Sequence, residues 1–388
     1  MRVRLNHKRG SDMRNFELEI HFSKWEFTAR HHMTASDVES MTIRDLLAMA
    51  TPGERQAFED QWLGYTETWG APDLRETIAG TYDTLKDEHI LCFAGAEEGI
   101  YTAMRVLLTR SDHAIVAVPN YQAAETVPLD ICEVTGVPLR AEDNWRLDID
   151  DIARAIRPNT RLVSINVPNN PTGALMPADD LEALVRLCRH HGLYLFSDEV
   201  YRLLELDERK RLPQVADLYE KGFSLNVMSK AYGLPGLRLG WIAGRDREIL
   251  LQMERYKHFL TICNAAPSER LSVIALRNRD RILDRNRALL GENLDALEQF
   301  FSEFPSLFEW SRPDGGCIAF PRYLGKDGVE NFCQKLVNDH GVLLLPSSIY
   351  RSELMDTPAD RFRIGFGRRG ITDGLDAIRE FLNQSARV

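Results

Sequence analysis

Ser229-Lys230-Ala231-Tyr232-Gly233-Leu234-Pro235-Gly236-Leu237-Arg238-Leu239-Gly240-Trp241 is the stretch that decides how this chain is read. It follows the apolar run Ser224-Leu225-Asn226-Val227-Met228, which has the length of a strand. A lone lysine after a strand is most often a solvated surface group, and Gly-Leu-Pro-Gly is a plain turn signal. The combination says more. Lys230 and Arg238 stand eight residues apart across a glycine-rich loop. An amine able to form an imine and a guanidinium able to grip phosphate with two N–H donors can meet the two ends of one small molecule.

Outward from this loop, short apolar runs recur at 114–118, 162–167, 193–196, 225–228 and 240–243. Segments of helical period separate them. Ile100, Met104, Leu107 and Leu108 share one face, as do Leu181, Leu184, Val185 and Cys188 behind the helix-starting acids Asp179 and Asp180. Such alternation predicts a mostly parallel sheet covered on both faces. The flanks differ. Residues 17–75 hold a helical stretch and the aromatic turn GYTETWGAPDLRE, and the chain beyond Asp280 has long charged helices followed by GGCIAFP and GVLLLP strands. The expected division is a disordered or tag-like start (1–16), an N-terminal part of a small domain with a lid (17–75), a large domain (76–275) and a C-terminal small domain (276–388).

Composition narrows the class. A chain of 388 residues is long for one core. A formal net charge of −10 gives no support to a nucleic-acid or membrane-surface binder. The six cysteines include no CxxC pair and sit in partly apolar runs, as reduced thiols of a cytoplasmic protein do. No apolar run reaches the length of a membrane span, and the basic start has no apolar segment behind it of the secretory kind.

Further segments are bland one by one. Asn169-Asn170-Pro171-Thr172-Gly173 reads as a turn. Asp198, in Ser197-Asp198-Glu199-Val200-Tyr201, reads as a strand-end cap, and Tyr201 as a core aromatic. Phe93-Ala94-Gly95-Ala96-Glu97-Glu98-Gly99 opens a helix with small residues, where backbone amides can approach an anion. Tyr121, after Pro119-Asn120, reads as a core aromatic, and Arg363, in Phe362-Arg363-Ile364-Gly365-Phe366-Gly367, as an edge-strand arginine in solvent.

In this order and over nearly the whole chain, the set resembles the class I/II aminotransferases, the fold-type I family of pyridoxal 5′-phosphate (PLP) enzymes. The resemblance implies an α/β fold: a large domain with a mostly parallel seven-stranded sheet flanked by helices, and a smaller α+β domain built from both chain ends. It implies PLP bound to Lys230 as a Schiff base, with Lys230 later acting as the base at the substrate's Cα. By the same resemblance Asn170 and Tyr201 hydrogen-bond the cofactor's phenolic oxygen, and Asp198 pairs with the pyridine nitrogen and keeps the ring protonated. Tyr121 stacks on the ring. Backbone amides of Gly95, Ala96 and Glu97 join Arg238 at the phosphate, with the Glu97 side chain pointing away. Arg363 forks the substrate carboxylate, beside Asn170. Tyr65 reaches the phosphate of the partner subunit, which implies a homodimer with shared active sites. No metal is implied.

Val227 departs from the family pattern, which often has a hydroxyl ligand of the phosphate there; Ser229 is the residue able to compensate. His21–Arg30 and Ala35–Glu39 correspond to the family's lid. These segments, with SKAYGLPGLR and GGCIAFPR, give a subgroup likeness to capreomycidine synthase, which cyclises a hydroxylated arginine derivative. Asp37 or Glu39 faces either a basic side chain or solvent, and Arg368 and Arg369 read as surface charges. The expected activity is amino transfer between an L-amino acid and a 2-keto acid. The alternative is PLP-dependent cyclisation, elimination or replacement on a functionalised amino acid. A regulatory module of this fold would append a helix-turn-helix region, and the short N-terminal extension shows no such pattern.

Overall fold

The computed structural model describes residues 14–385. Of the expected 1–16 start, residues 1–13 thus lie outside the described part. The centre is one sheet formed by β1 (Ile90–Phe93), β2 (His113–Val118), β3 (Glu133–Arg140), β4 (Arg146–Leu147), β5 (Thr160–Asn166), β6 (Tyr194–Asp198), β7 (Gly222–Val227) and β8 (Gly240–Gly244). Their spatial order is β1-β8-β7-β6-β5-β2-β3-β4. Seven of these form the expected mostly parallel sheet, in which β8 alone runs against its two neighbours. The eighth, β4, is a two-residue antiparallel addition on the β3 edge, too short to show in the sequence pattern.

Period two along these strands explains why both faces are covered. Ala114, Leu162, Tyr194 and Phe196 enter one core, while Ile115, Val163, Ile165 and Leu195 enter the other. Helix α1 (Glu17–Trp25) lies outside this sandwich. Helix α2 (Ala96–Leu107) buries Ile100, Ala103, Met104 and Leu107 on the first face, and α3 (Ala178–His191) buries Leu181, Leu184, Val185 and Cys188 on the second. Acids at the start of α3 and basic groups in its last turn match the helix dipole.

Both chain ends meet in a second body. His31–His32 pairs in parallel with Val342–Leu343, and Phe362–Gly365 lies antiparallel between Ile318–Ala319 and Leu345–Pro346. The segment after the N-terminal strand runs so close to Phe362–Gly367 that a Cβ on Gly365 would sit 2.0 Å from the Ala35 carbonyl oxygen, and one on Gly367 2.1 Å from that of Asp37. The glycines of FRIGFG are there for this contact. Among the described residues no helix is long and apolar enough to cross a membrane.

Candidate active site

Parallel strands collect functional groups at their carboxyl ends, and this sheet does so. Tyr121 follows β2, Asn170 follows β5, Asp198 ends β6, Lys230 follows β7, and Gly95 follows β1. Because β8 runs the opposite way, Arg238, just before it, reaches the same edge. Tyr121, Asn170, Asp198, Lys230 and Arg238 line one cavity of about 310 Å³, together with Ser229, Tyr201, Ala96 (next to Gly95) and residues of α1.

On the floor of this cavity, Lys230 Nζ donates to Ser36 Oγ at 2.9 Å and lies 5.8 Å from the Tyr201 ring centre. Burial lowers its pKa, which favours the neutral amine that a nucleophile or base requires. Asp198 Oδ1 accepts from the Val200 amide at 3.2 Å, and burial pushes its carboxyl up to about 6. Asn170 is fixed by its own amide, which donates to Asn166 Oδ1 at 2.7 Å. Its Oδ1 accepts from Arg363 Nη1 at 3.2 Å, so its amide nitrogen is left for another acceptor.

At one end of the cavity Gly95 holds φ +95, and a Cβ there would come within 2.6 Å of Arg238 Nη2. Arg238 itself sits at φ +47 and donates from Nη1 to the Pro235 carbonyl at 3.1 Å. Glycine, the uncapped start of α2 and one guanidinium thus form a cradle shaped for an anion. Ser229 Oγ and Tyr201 Oη are buried without hydrogen-bond partners among the described residues. Burial without a partner is costly, so two such hydroxyls on one wall mark where a polar ligand belongs. An amine, a ring-sized gap beside Tyr121, a carboxylate and an anion cradle are the donor set that PLP requires.

Two expectations need correction. The Glu97 side chain does not point away; it lines the cavity beside Tyr121, and burial pushes its carboxyl up to about 7, which lessens its repulsion of a phosphate. Asp37 is not a solvated lid acid. It is buried and accepts two hydrogen bonds of 2.9 Å from Arg368, which borders the cavity and is exposed, as a surface charge is. The close segment after the N-terminal strand brings them together, a contact across more than three hundred residues that no local motif signals.

Arg363 is fully buried. Its Nε and Nη2 donate to Thr34 Oγ1 (3.3 Å) and to the Thr34 carbonyl (2.7 Å), and with the bond to Asn170 this occupies three of the five N–H groups. Phe22 of α1 lies over it, 5.9 Å from ring centre to guanidinium. Tyr65 is 86% exposed and stands apart from the cavity. Ser36, His32, Glu19 and Glu26 line or close the site without having been singled out. Their only sequence signal is membership of, or proximity to, the lid segments. His32 stacks on Phe22 at 5.8 Å, and burial lowers its pKa to about 4, so it is neutral.

Known proteins resemble this chain in sequence and fold. The family profile for aminotransferase class I and II covers residues 38–375. Capreomycidine synthase of Streptomyces vinaceus is 28% identical over 93% of this chain and 92% of its own length. The arginine–pyruvate transaminase of Pseudomonas aeruginosa is 28% identical over 81% and 80%. A PLP-dependent aminotransferase structure from Streptococcus suis superposes with a TM-score of 0.89 at 30% identity, covering 96% of this chain and 98% of that one. With the profile spanning most of its length, the chain belongs to the class I and II aminotransferases and is a PLP-dependent enzyme of fold type I.

Proposed function

We propose that this enzyme moves an amino group between an L-amino acid with a cationic side chain and a 2-keto acid, with Lys230 as cofactor anchor and proton carrier. The observation that carries this reading is the convergence of Lys230, Asp198, the partnerless Ser229 and Tyr201 hydroxyls and the Gly95–Arg238 cradle on one cavity. In this reading the amides of Gly95, Ala96 and Glu97, Ser229 Oγ and Arg238 hold the phosphate. Tyr121 covers the ring, Asn170 and Tyr201 donate to the phenolic oxygen, and Asp198 holds the proton of the ring nitrogen. When bound, PLP supplies the electron sink that makes the substrate Cα–H bond acidic. Lys230 takes that proton and returns it at a neighbouring carbon, its amine kept neutral by burial. Arg363 takes the α-carboxylate with its two remaining N–H groups, which requires Phe22 to shift with α1.

Charge favours the cationic side chain. Asp37 is neutralised by Arg368, and Asp198 is assigned to the ring nitrogen. Glu19 on α1 and Glu26 at its C-terminal end line the cavity and form no ion pair among the described residues. Burial and then the neighbouring Glu19 raise the pKa of Glu26, a cost that a substrate cation would relieve. One relative with this cofactor chemistry is an arginine transaminase by name.

Exposed Trp62, Leu63 and Tyr65 stand near exposed Phe259, Leu260 and Ile262, because Thr66 Oγ1 donates to the Asn264 carbonyl at 3.0 Å. This apolar surface suits a second copy of the chain, whose Tyr65 would complete the phosphate site in a cytoplasmic homodimer. The proposed division is a PLP-binding body (76–275) and a small domain from residues 17–75 and 276–388. A second reading, intramolecular cyclisation of a functionalised amino acid, rests on the likeness to capreomycidine synthase. The two separate in one experiment. Mixing the holoenzyme with L-arginine and no keto acid gives a single turnover with keto-acid release under the first reading. Continued turnover without an acceptor supports the second.

A further inference from the structure

We propose that Glu98 is a positioning residue of the phosphate cradle, tying it to the exposed apolar segment 259–262. The inference rests on assigning the cradle to the cofactor phosphate and goes beyond it.

Glu98 sits in the first turn of α2 but points backward and outward at once. Its Oε2 accepts from the Ala94 amide at 2.6 Å, the residue before the cradle glycine. Its Oε1 accepts from Thr261 Oγ1 at 2.7 Å and from the Thr261 amide at 3.3 Å. One carboxylate therefore ties two backbone segments to each other. A charged acceptor makes each of these bonds stronger than a neutral one. The clamp is backed by Lys257, whose fully buried Nζ donates to the carbonyls of Cys92 and Thr68 at 2.7 Å each and to Asn264 Oδ1 at 3.2 Å. The turn from Cys92 to Ala94 is thus held from both sides by the segment that contains Thr261.

That segment is under tension. Ile262 is half exposed and stands at φ +65, a left-handed conformation unfavourable to a β-branched residue. Such strain persists only where the surroundings enforce it, and the bonds to Glu98 and Asn264 do so. The tolerance at the other end is small, because even a Cβ on Gly95 would come within 2.6 Å of Arg238 Nη2. A shift of the Ala94–Gly95 peptide moves the amides that face the anion and displaces the guanidinium beside them. Glu98 thereby acts on phosphate affinity without touching phosphate.

The test uses PLP and pyridoxal, which differ only in the phosphate. Release of each from the loaded enzyme is followed by absorbance after dilution, for wild type and for Glu98→Ala, Thr261→Val and the double variant. Glu98→Ala is expected to speed PLP release about tenfold, the worth of roughly one hydrogen bond to a charged group, and to change pyridoxal release less than about twofold. Thr261→Val should give part of that effect, and the double variant should be no worse than Glu98→Ala alone. Equal loss of PLP and pyridoxal would mean a general structural role and overturn the proposal, as would no loss at all or simple addition of the two single effects. Arg238→Gln separates the failures. If it leaves the PLP-to-pyridoxal ratio intact, the cradle assignment itself is wrong. If it collapses the ratio while Glu98→Ala does not, only the clamp is wrong.

Discussion

The floor and the roof of the cavity are built on opposite principles. On the floor, Asn170 and Asp198 are 4% and 6% exposed; Asp198 ends β6 opposite Asn166 of β5, and the Asn170 backbone amide donates to Asn166 Oδ1 at 2.7 Å. Sheet register and this bond together hold their spacing. The roof is α1, nine residues long, with Leu18 as its one buried side chain. A helix of this length is marginal without tertiary support. It is tied down by the Glu17 amide to Gln122 Oε1 (2.9 Å), Gln122 Nε2 to the Asn15 carbonyl (2.6 Å) and the Phe16–Tyr121 ring contact (5.4 Å). A rigid floor suits chemistry, which needs fixed distances. A loosely held roof suits entry and selection, which need motion.

Breaking the floor should cost most. Lys230→Ala is expected to lower the rate of the half-reaction by at least ~10⁴-fold and to abolish the absorbance of the lysine-bound cofactor. If that band survives, the floor is misassigned.

The charge state of the floor gives the next effect. Burial raises Asp198 from 3.8 to about 6, so the folded cofactor-free protein prefers the protonated acid. Its stability should therefore fall as pH rises from about 4 to about 6, by about 3 kcal/mol from this group. Asp198→Asn should remove that slope in urea unfolding of the cofactor-free protein. An unchanged slope would place the shift elsewhere.

Where floor meets roof, Arg363→Lys keeps the charge but loses the fork. We expect KM for the amino acid to rise roughly 10- to 100-fold, the worth of one charged hydrogen bond, with kcat less affected. A purely local fold defect would instead lower kcat and cofactor content together.

The roof should give the smallest effect and the most selective one. L-citrulline matches L-arginine in shape but lacks the charge. Glu26→Gln should cut the arginine-to-citrulline ratio of kcat/KM by about fivefold to tenfold, and Glu26→Asp should restore part of it. A ratio near one in the wild type would remove the cationic-substrate reading while leaving the floor intact.

The same division governs what the sequence reveals. Lys230, Asp198, Asn170 and the Gly95 turn each follow a strand, and a strand followed by a special turn leaves a local signature. The two-residue β4 leaves none. Nor does the Asp37–Arg368 pair, whose partners meet only because the segment after the N-terminal strand lies against the FRIGFG backbone. Glu19 and Glu26 look like ordinary helix-surface acids until the fold sets them at the border of the cavity. The buried Lys257, held by two carbonyls and Asn264, is likewise invisible in a run of charged residues.

Among the described residues, the partly buried Lys230 and the fully buried Lys257 both lie near this sheet edge, and only one of them can be the anchor. Reducing the PLP-loaded enzyme with borohydride and mapping the phosphopyridoxyl label by peptide mass spectrometry decides between them. The label is expected on the peptide containing Lys230 alone. A label on Lys257, or on any other lysine, would contradict the account.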